Sequence, residues 1–306
     1  MNAPIALFVY SRPKHLQKCI DSLLANPEAP DSDIFIFSDG PKREEHRPQV
    51  EKVRDLVRNV VGFKSVNLIA RNTNLGLSRS IISGVTEILS NYESAVILED
   101  DLVVSNCFLH YMNRALSMYR EDESVASIHG YCYPVKTTLP ETFFIQGADC
   151  WGWATWRRAW KHFDEDGSRL LQQLRERKLQ RKFDFDRVHP YEKMLKDQIR
   201  GKNDSWAIRW YASAFLKGMF TLYPGRSQVS NIGFDGSGEH CGEDAAFENT
   251  ICEPISPDFR KIPLVESNLG RSAFTTYFKS IQPSPVSRIS RKLKSLVERA
   301  RCSYQK

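Results

Sequence analysis

The chain opens with short, continuous apolar runs that alternate with longer segments in which apolar residues recur every three or four positions. The apolar runs predict buried strands, because they are brief and rich in β-branched and aromatic residues. The segments between them have the spacing of amphipathic helices. The predicted strands are Ile5–Tyr10, Asp33–Gly40, Val66–Ala70 and Ala95–Asp100, and the predicted helices are His15–Asn26, Glu44–Val61 and Gly76–Asn91. This alternation predicts an α/β fold with a doubly wound, mostly parallel sheet.

The pattern changes after Glu121, where strands and helices no longer alternate regularly. Strand-like runs cover Ser124–Val135 and Glu141–Gly147, and a charged, exposed helix is expected over Leu170–Lys182. Another helix is expected over Asn203–Gly218. A short strand and a loop rich in glycine and serine follow it.

Three consecutive carboxylates, Glu99, Asp100 and Asp101, stand where the fourth predicted strand ends, between two apolar runs. Adjacent anions repel one another and resist burial, so a cation is expected beside them. Ligands of doubly wound sheets bind beyond the carboxyl ends of the strands. Polar side chains also follow the other strands there, namely Tyr10, Ser11, Arg12, Ser38, Asp39, Arg71 and Asn74. The pattern predicts a nucleotide-diphosphate site with a divalent metal, and a solvated acidic turn is the alternative.

Several motifs resemble, in order and spacing, those of GT-A-type glycosyltransferases. The strand AVILEDD resembles their variant DxD motif. The opening ALFVYSRPKHLQKCIDSLL resembles the first strand and helix of the glycosyltransferase family 2-like group, and still more those of the N-acetylglucosaminyltransferase I-like group. The segments SDG, NLGLSRSIISGV, WGWATWRRAW, NDSW and YPGRSQVSNIG fit the same order, so the resemblance spans Pro4 to Gly242. It implies a GT-A-like fold, a single large domain whose Rossmann-like sheet carries helices on both faces.

The resemblance also implies roles for residues of a donor site. The residues that would contact the nucleotide or donor sugar are Tyr10, Ser11, Arg12, Asp39, Arg79 and Asp100. Asp101 would hold Mn²⁺ or Mg²⁺, with His240 as a second metal or phosphate contact, and an exposed loop histidine is the alternative for His240. Neither GxGxxG nor GxxxxGK[ST] occurs in the sequence, which favours a carboxylate-held cation for neutralising the diphosphate.

Asp204, in the NDSW segment, is the expected catalytic base by the same resemblance. The chemistry supports this expectation, because an inverting sugar transfer needs a carboxylate beside the acceptor hydroxyl. A helix N-cap is the alternative for Asp204, since Asn, Asp and Ser all favour that position. Glu165, Asp166 and Asp197 are rival candidates for the base.

Four of the six tryptophans cluster between residues 151 and 160. Trp151 and Trp153 are expected to contact the acceptor, because aromatic rings can stack on the faces of sugars. Trp156 and Trp160 are expected in the core, where large aromatic side chains usually lie. Trp153, Trp156 and Trp160 have helical spacing, so the core is also the alternative for Trp153.

Composition and charge narrow the expected setting. Hydrophobic residues make up 41% of the 306 residues, yet no apolar stretch approaches the ~20 residues that a spanning helix needs. The N-terminus lacks the pattern of a signal peptide. Seven cysteines without a CxxC pair favour a reducing compartment. These observations predict a cytoplasmic protein, with the inner face of the membrane as a further expected location.

The net charge of +6 is concentrated at the C-terminus. Residues 282–306 hold seven basic side chains and one acidic one, so the rest of the chain is close to neutral and no nucleic-acid partner is expected. The spacing of the apolar residues in this tail fits an amphipathic helix on an anionic membrane surface. A disordered basic end is the alternative.

Together these features predict a metal-dependent glycosyltransferase of the hexosyl or N-acetylhexosaminyl type. Residues 1–135 would bind a nucleotide sugar, with UDP as the expected nucleotide, and residues 136–280 would bind the acceptor and supply the base. Residues 281–306 would form the tail. The acceptor would be a saccharide or glycolipid in surface polysaccharide or lipopolysaccharide assembly, with inversion expected. The alternatives are a sugar-phosphate nucleotidyltransferase and a non-catalytic nucleotide-sugar-binding or membrane-scaffold protein.

Overall fold

The computed structural model describes residues 2–235 and 255–282. The strands in these residues are β1 (Ile5–Val9), β2 (Asp33–Ser38), β3 (Ser65–Ala70), β4 (Ser94–Glu99), β5 (Leu102–Val104), β6 (Val125–His129), β7 (Thr142–Ile145), β8 (Trp153–Trp156), β9 (Phe220–Pro224) and β10 (Val229–Asn231). Eight of them form one sheet in the order β3-β2-β1-β4-β8-β6-β9-β7. The other two, β5 and β10, pair antiparallel to each other.

Helices flank this sheet. They are α1 (Pro13–Leu24), α2 (Arg47–Arg58), α3 (Leu77–Asn91), α4 (Phe108–Met118), α5 (Arg157–Trp160), α6 (Gly167–Glu176), α7 (Gln180–Phe183), α8 (Tyr191–Ile199), α9 (Trp206–Leu216) and α10 (Asn268–Ser280). Two short 3₁₀ helices cover Ala29–Asp31 and Glu44–His46. Helix α1 begins with proline at its first position, where the fixed φ angle suits a helix and no N–H is needed.

The predicted α/β fold class is confirmed, and the first four predicted strands form one parallel block. Strand β1 lies between β2 and β4, and β3 pairs with β2 on the outer side. All five residues of β1 are buried, which explains its continuous apolar run. Because these strands are parallel, the residues that follow β1, β2 and β4 meet at one edge of the sheet.

The second half of the sheet departs from the expected pattern. Strand β8 runs antiparallel to both of its neighbours, β4 and β6, and β7 is antiparallel to β9. Trp153 and Trp156 lie on β8, so the interpretation of their spacing as helical was wrong. The predicted exposed helix is also different, since α6 buries Leu170, Leu171 and Leu174 against the domain.

The core expectation for two tryptophans is confirmed. Trp156 and Trp160 are both buried. Trp153 is 1% exposed and stacks on Trp206 with 5.5 Å between ring centroids, and it also contacts Trp160 and Trp210. This aromatic cluster joins the central strand β8 to helix α9.

Candidate active site

A cavity of about 560 Å³ opens at the edge of the sheet where β1, β2 and β4 end. It brings together six of the predicted site residues, which are Tyr10, Ser11, Arg12, Asp39, Asp100 and Asp101. Asn74, Gly76, Leu77 and Ser80 line it from the start of α3, and Glu99 lines it from β4. We refer to this cavity as the nucleotide pocket. Its position follows from the parallel strand order, as the sequence predicts.

Arg12 lies between the two aspartates that follow β4. Its Nη2 atom is 2.9 Å from Oδ2 of Asp101 and also forms an ion pair with Oδ1 of Asp100. The backbone N–H of Tyr10 donates a further hydrogen bond of 3.3 Å to Oδ2 of Asp100. Arg12 is therefore the internal cation that offsets part of the repulsion within the acid triplet.

Burial shifts the pKa values of three charged groups at this site, Asp100, Glu99 and Arg12. It raises the pKa of Asp100, while Arg12 lowers that pKa in part. Burial also raises the pKa of Glu99, and the charges of Asp101 and Asp100 raise it further. Burial lowers the pKa of Arg12, but the two aspartates outweigh this effect and the net pKa is raised. The triplet carries more negative charge than one guanidinium neutralises, which favours a second cation.

Asp39 lines the nucleotide pocket and also holds its wall. Its carboxylate accepts hydrogen bonds from the backbone N–H groups of Leu75 at 2.9 Å and Gly76 at 2.9 Å, and from the Asn74 side chain at 3.1 Å. Gly76 has φ of +78°, a value that glycine adopts without strain, and this turns its N–H toward Asp39. Asp39 thus fixes the loop that leads into α3.

The segment after β10 lies directly over Asp101. The backbone N–H of Ile232 donates a 2.8 Å hydrogen bond to the carbonyl oxygen of Asp101. A Cβ atom added at Gly233 would lie only 2.4 Å from Oδ2 of Asp101. Glycine is therefore required at 233 for this close approach, and the β5–β10 pairing produces it.

The carboxylates of the nucleotide pocket are suitable ligands for a hard divalent cation, but they are too few to hold one by themselves. Carboxylate oxygens are the ligands that Mg²⁺ and Mn²⁺ prefer. Residues 2–235 and 255–282 contain no group of three His, Cys, Asp or Glu side chains that could hold a metal. A cation at Asp101 would therefore depend on oxygens of its ligand. His240, the other predicted metal contact, lies outside the described residues.

The basic residues that line the nucleotide pocket differ from those expected. Arg79 is exposed in the first turn of α3 and does not line the nucleotide pocket, whereas Ser80 beside it does. Lys42, Arg43 and His46 line the pocket without having been predicted. The PKREEHR run directly after Asp39 and Gly40 was the signal that could have found them.

Asp204 precedes α9 and its side chain is 67% exposed. The N-cap of α9 is Ser205, whose Oγ accepts from the N–H of Ile208, so Asp204 is not the cap. Oδ1 of Asp204 lies 3.7 Å from Nη2 of Arg209. That same nitrogen donates a 2.7 Å hydrogen bond to Ser78 at the start of α3. Arg209 therefore links Asp204 to the first turn of α3, where Leu77 and Ser80 line the nucleotide pocket.

The rival bases have other partners. Asp166 caps α6 by accepting from the N–H groups of Ser168 and Arg169. Asp197 forms an ion pair with Lys193 on the surface of α8. The carbonyl oxygen of Glu165 accepts a 3.4 Å hydrogen bond from Arg209, which brings Glu165 near Asp204.

A second cavity has a volume of about 420 Å³, and only one of the two candidate acceptor tryptophans lines it. Trp151 lines it, whereas the buried Trp153 does not. The cavity is lined mainly by aromatic side chains, including Tyr131, Tyr133, Tyr191, Tyr211 and Tyr223, and it contains one carboxylate, Asp149. We call it the tyrosine pocket. Sequence patterns did not single out Asp149 or these tyrosines.

A parallel α/β block with an acid-ended strand beside a polar pocket is consistent with the GT-A class of folds. The model of the family described as Glycosyl transferase family 2 matches residues 5–173, more than half of the chain. The chain therefore belongs to glycosyl transferase family 2, and the predicted resemblance to that family is confirmed. The N-acetylglucosaminyltransferase I-like subgroup stays a prediction.

Other comparisons are more distant. The crystal structure of S. aureus TarS is similar, with a TM-score of 0.39 and 12% sequence identity. The match covers 74% of this chain and 36% of the TarS chain, so the protein spans about a third of TarS. No curated protein matches the sequence. In the part of the chain that the structure describes, no helix is long and apolar enough to cross a membrane.

Proposed function

We propose that this protein transfers a sugar from a nucleotide-diphosphate sugar, with UDP as the nucleotide, to a hydroxyl group of a saccharide or glycolipid. The observation that carries the proposal is the nucleotide pocket, where Arg12 pairs with Asp100 and Asp101 at the end of β4. Membership of glycosyl transferase family 2 supports sugar transfer over the nucleotidyltransferase and scaffold alternatives.

The donor would bind along the wall formed by β1, β2 and the start of α3. Tyr10 offers a ring for the base, with its hydroxyl held by the backbone N–H of Lys42 at 2.8 Å. Ser11, Asp39 and Asp100 would contact the ribose or the sugar. Lys42, Arg43 and His46 supply basic groups on the same wall, which suits a ligand with two phosphates.

Asp101 would hold Mn²⁺ or Mg²⁺, together with oxygens of the donor. When bound, the cation supplies charge stabilisation for the departing diphosphate. Arg12 keeps the Asp101 carboxylate oriented through its 2.9 Å hydrogen bond. Gly233 lies against the same carboxylate, because a Cβ atom there would be 2.4 Å from Oδ2 of Asp101.

Asp204 would act as the base in an inverting transfer. A carboxylate beside the acceptor hydroxyl takes its proton as the oxygen attacks the anomeric carbon. The side chain of Asp204 is accessible, and Arg209 anchors it near the start of α3. Trp151 would contact the acceptor from the tyrosine pocket, which Ala207 and Ile208 of α9 also line.

The proposal also covers the pathway and the cellular location of the enzyme. We assign the enzyme to assembly of surface polysaccharide or lipopolysaccharide at the inner face of the membrane, as a hexosyl- or N-acetylhexosaminyltransferase. The basic tail at residues 283–306 lies outside the described residues, and its contact with anionic lipid rests on its sequence alone.

Thermal shift of the full chain with a nucleotide panel tests the donor site directly. A nucleotide at about a hundredfold excess over its Kd should stabilise the fold by about 2.7 kcal/mol. We expect UDP with Mn²⁺ to produce the largest shift, and slow hydrolysis of the matching nucleotide sugar to follow. Asp101→Asn should remove the Mn²⁺ dependence, whereas Asp55→Asn on the exposed face of α2 should keep it. A panel without any stabilising nucleotide would overturn the proposal.

A further inference from the structure

The tyrosine pocket has an unusual balance of charge for a cavity of its size. Of its lining residues, all of them in the described part of the chain, Asp149 is the one carboxylate and none is lysine or arginine. Half of the others are tyrosine, phenylalanine or tryptophan. A desolvated carboxylate surrounded by aromatic rings is costly unless it gains a partner.

Asp149 is held by two tyrosines at one oxygen only. The hydroxyl groups of Tyr133 and Tyr223 donate hydrogen bonds of 3.0 Å and 2.7 Å, both to Oδ2. Oδ1 receives no hydrogen bond from the described residues. Burial raises the pKa of Asp149, while the two tyrosine hydrogen bonds lower it. One oxygen is thus fixed in place and the other can meet a ligand.

The two histidines of the pocket do not supply the missing positive charge. Burial lowers the pKa of His129 to about 3 and that of His189 to about 4. Both imidazoles are therefore neutral under ordinary conditions. The backbone N–H of Trp151 donates to Nε2 of His129 at 3.1 Å, so this ring serves to position the Trp151 segment.

The aromatic rings meet edge to face and enclose the cavity from several directions. The ring centroids of Tyr131 and Trp151 are 4.9 Å apart at an interplanar angle of 78°, and those of Tyr131 and Tyr133 are 5.4 Å apart at 88°. Tyr191 and Tyr211, which also line the cavity, meet at 60°. Rings at these angles turn both faces and edges toward a shared space, and aromatic faces attract organic cations.

We propose that the tyrosine pocket binds an organic ammonium group, with Asp149 as its counter-ion and the tyrosine and tryptophan rings as its cage. An ammonium group makes charge-assisted hydrogen bonds to a carboxylate and cation–π contacts with the rings. A neutral sugar would stack on the same rings but would leave the charge of Asp149 without a partner.

The position of the pocket assigns this ammonium group to the acceptor, an assignment that rests on the proposed function. Trp151 contacts Phe234, with 5.6 Å between ring centroids, and Gly233 next to it lies over Asp101. Ala207 and Ile208 of α9 line the tyrosine pocket, while the adjacent Arg209 binds Ser78, which follows the nucleotide-pocket residue Leu77. The two pockets therefore lie close together, and Asp204, just before α9, is near both of them.

Binding of small probes to the full chain tests the ammonium assignment. Calorimetry should compare glucosamine with N-acetylglucosamine, whose acetyl group makes the nitrogen neutral, and choline with its neutral isostere 3,3-dimethylbutan-1-ol. All titrations use one ionic strength. We expect at least one charged probe to bind about tenfold or more tightly than its neutral match. Tighter glucosamine identifies an amino sugar as the source, and tighter choline identifies a lipid or phosphodiester headgroup.

Two charge-matched variants locate the binding. Asp149→Asn should weaken the charged probe about tenfold or more, because it removes one partner of a desolvated charge pair. Asp55→Asn removes the same charge from an exposed position of α2 and should leave probe binding unchanged. If Asp149→Asn does not fold, the comparison of charged and neutral probes on the natural chain still tests whether an ammonium group is bound.

The outcomes separate this inference from the proposed function. Equal binding of glucosamine and N-acetylglucosamine, together with equal binding of choline and its isostere, overturns the ammonium assignment. If nucleotide-sugar hydrolysis is present in that case, the proposed function stands and the ammonium inference alone fails. Charged-probe binding without any nucleotide binding supports the ammonium site and overturns its assignment to an acceptor.

Discussion

The guanidinium group of Arg12 donates a 2.9 Å hydrogen bond to Oδ2 of Asp101, a residue 89 positions further along the chain. The same nitrogen pairs with Asp100. Strands β1 and β4 are parallel neighbours, so the residues that follow them meet at one end of the sheet. The acid triplet is therefore stable in the folded chain because a cation from the adjacent strand end accompanies it.

Replacing Arg12 with glutamine should destabilise the fold markedly. Asp100 is almost fully buried, and removing one partner of a buried ion pair costs about 3 kcal/mol. Urea unfolding of Arg12→Gln measures the loss. Arg47→Gln removes an exposed guanidinium that pairs with Glu44 and should leave the midpoint almost unchanged. Equal midpoints for the two variants would show that the Arg12 pair does not stabilise the fold.

Glu99 should make the stability of the protein depend on pH. Its pKa is raised in the fold by burial and by the charges of Asp101 and Asp100. The folded state therefore binds the Glu99 proton more tightly than the unfolded state does. Its contribution to stability is complete below the ordinary carboxyl pKa of about 4 and is lost as the pH rises through the elevated folded value.

The substitution Glu99→Gln isolates this effect, because glutamine cannot ionise. We expect its melting temperature to exceed that of the natural protein at mildly alkaline pH and to approach it at mildly acidic pH. Glu87→Gln, at an exposed position of α3, serves as the control and should show no such trend. Parallel melting curves for Glu99→Gln and the natural protein across this range would contradict the prediction.

Asp204→Asn should separate binding from turnover. If Asp204 takes the acceptor proton, kcat falls about 10²- to 10⁴-fold while the Kd for the nucleotide stays close to its natural value. Asp166→Ala provides the comparison, since it removes the α6 cap and should cost about 1 kcal/mol of stability with kcat retained. A large fall in kcat for Asp166→Ala alone would transfer the role of base to that residue.

Gly233→Ala should weaken binding at Asp101 while leaving the rest of the nucleotide pocket intact. The added Cβ would lie 2.4 Å from Oδ2 of Asp101, so the carboxylate or the loop must shift. We expect the affinity for nucleotide with Mn²⁺ to fall at least about tenfold, or 1.4 kcal/mol. The affinity for nucleotide without metal should change much less. Calorimetry with and without Mn²⁺ measures both, and equal losses in the two conditions would count against a metal at Asp101.

The sequence was sufficient for the parallel half of the fold and for most of the nucleotide pocket. The predicted strand Ile5–Tyr10 corresponds to β1 at Ile5–Val9, and the predicted helix Gly76–Asn91 corresponds to α3 at Leu77–Asn91. Local periodicity specifies these two elements because β1 is buried on both faces and α3 on one. Once the strands are parallel, the convergence of Tyr10, Arg12 and Asp101 follows from the chain order.

The tertiary structure alone decided the second half. Trp153 and Trp156 lie three positions apart, a spacing that fits a helix as well as a short strand, and pairing with β4 and β6 makes it a strand. Asp149 meets Tyr133, which is 16 positions away, and Tyr223, which is 74 positions away. These contacts depend on which distant strands become neighbours, and that choice leaves no periodic trace in the local sequence. The same reason applies to the tyrosine pocket, because β6, β9, α8 and α9 are distant in the sequence and surround one space only in the folded chain.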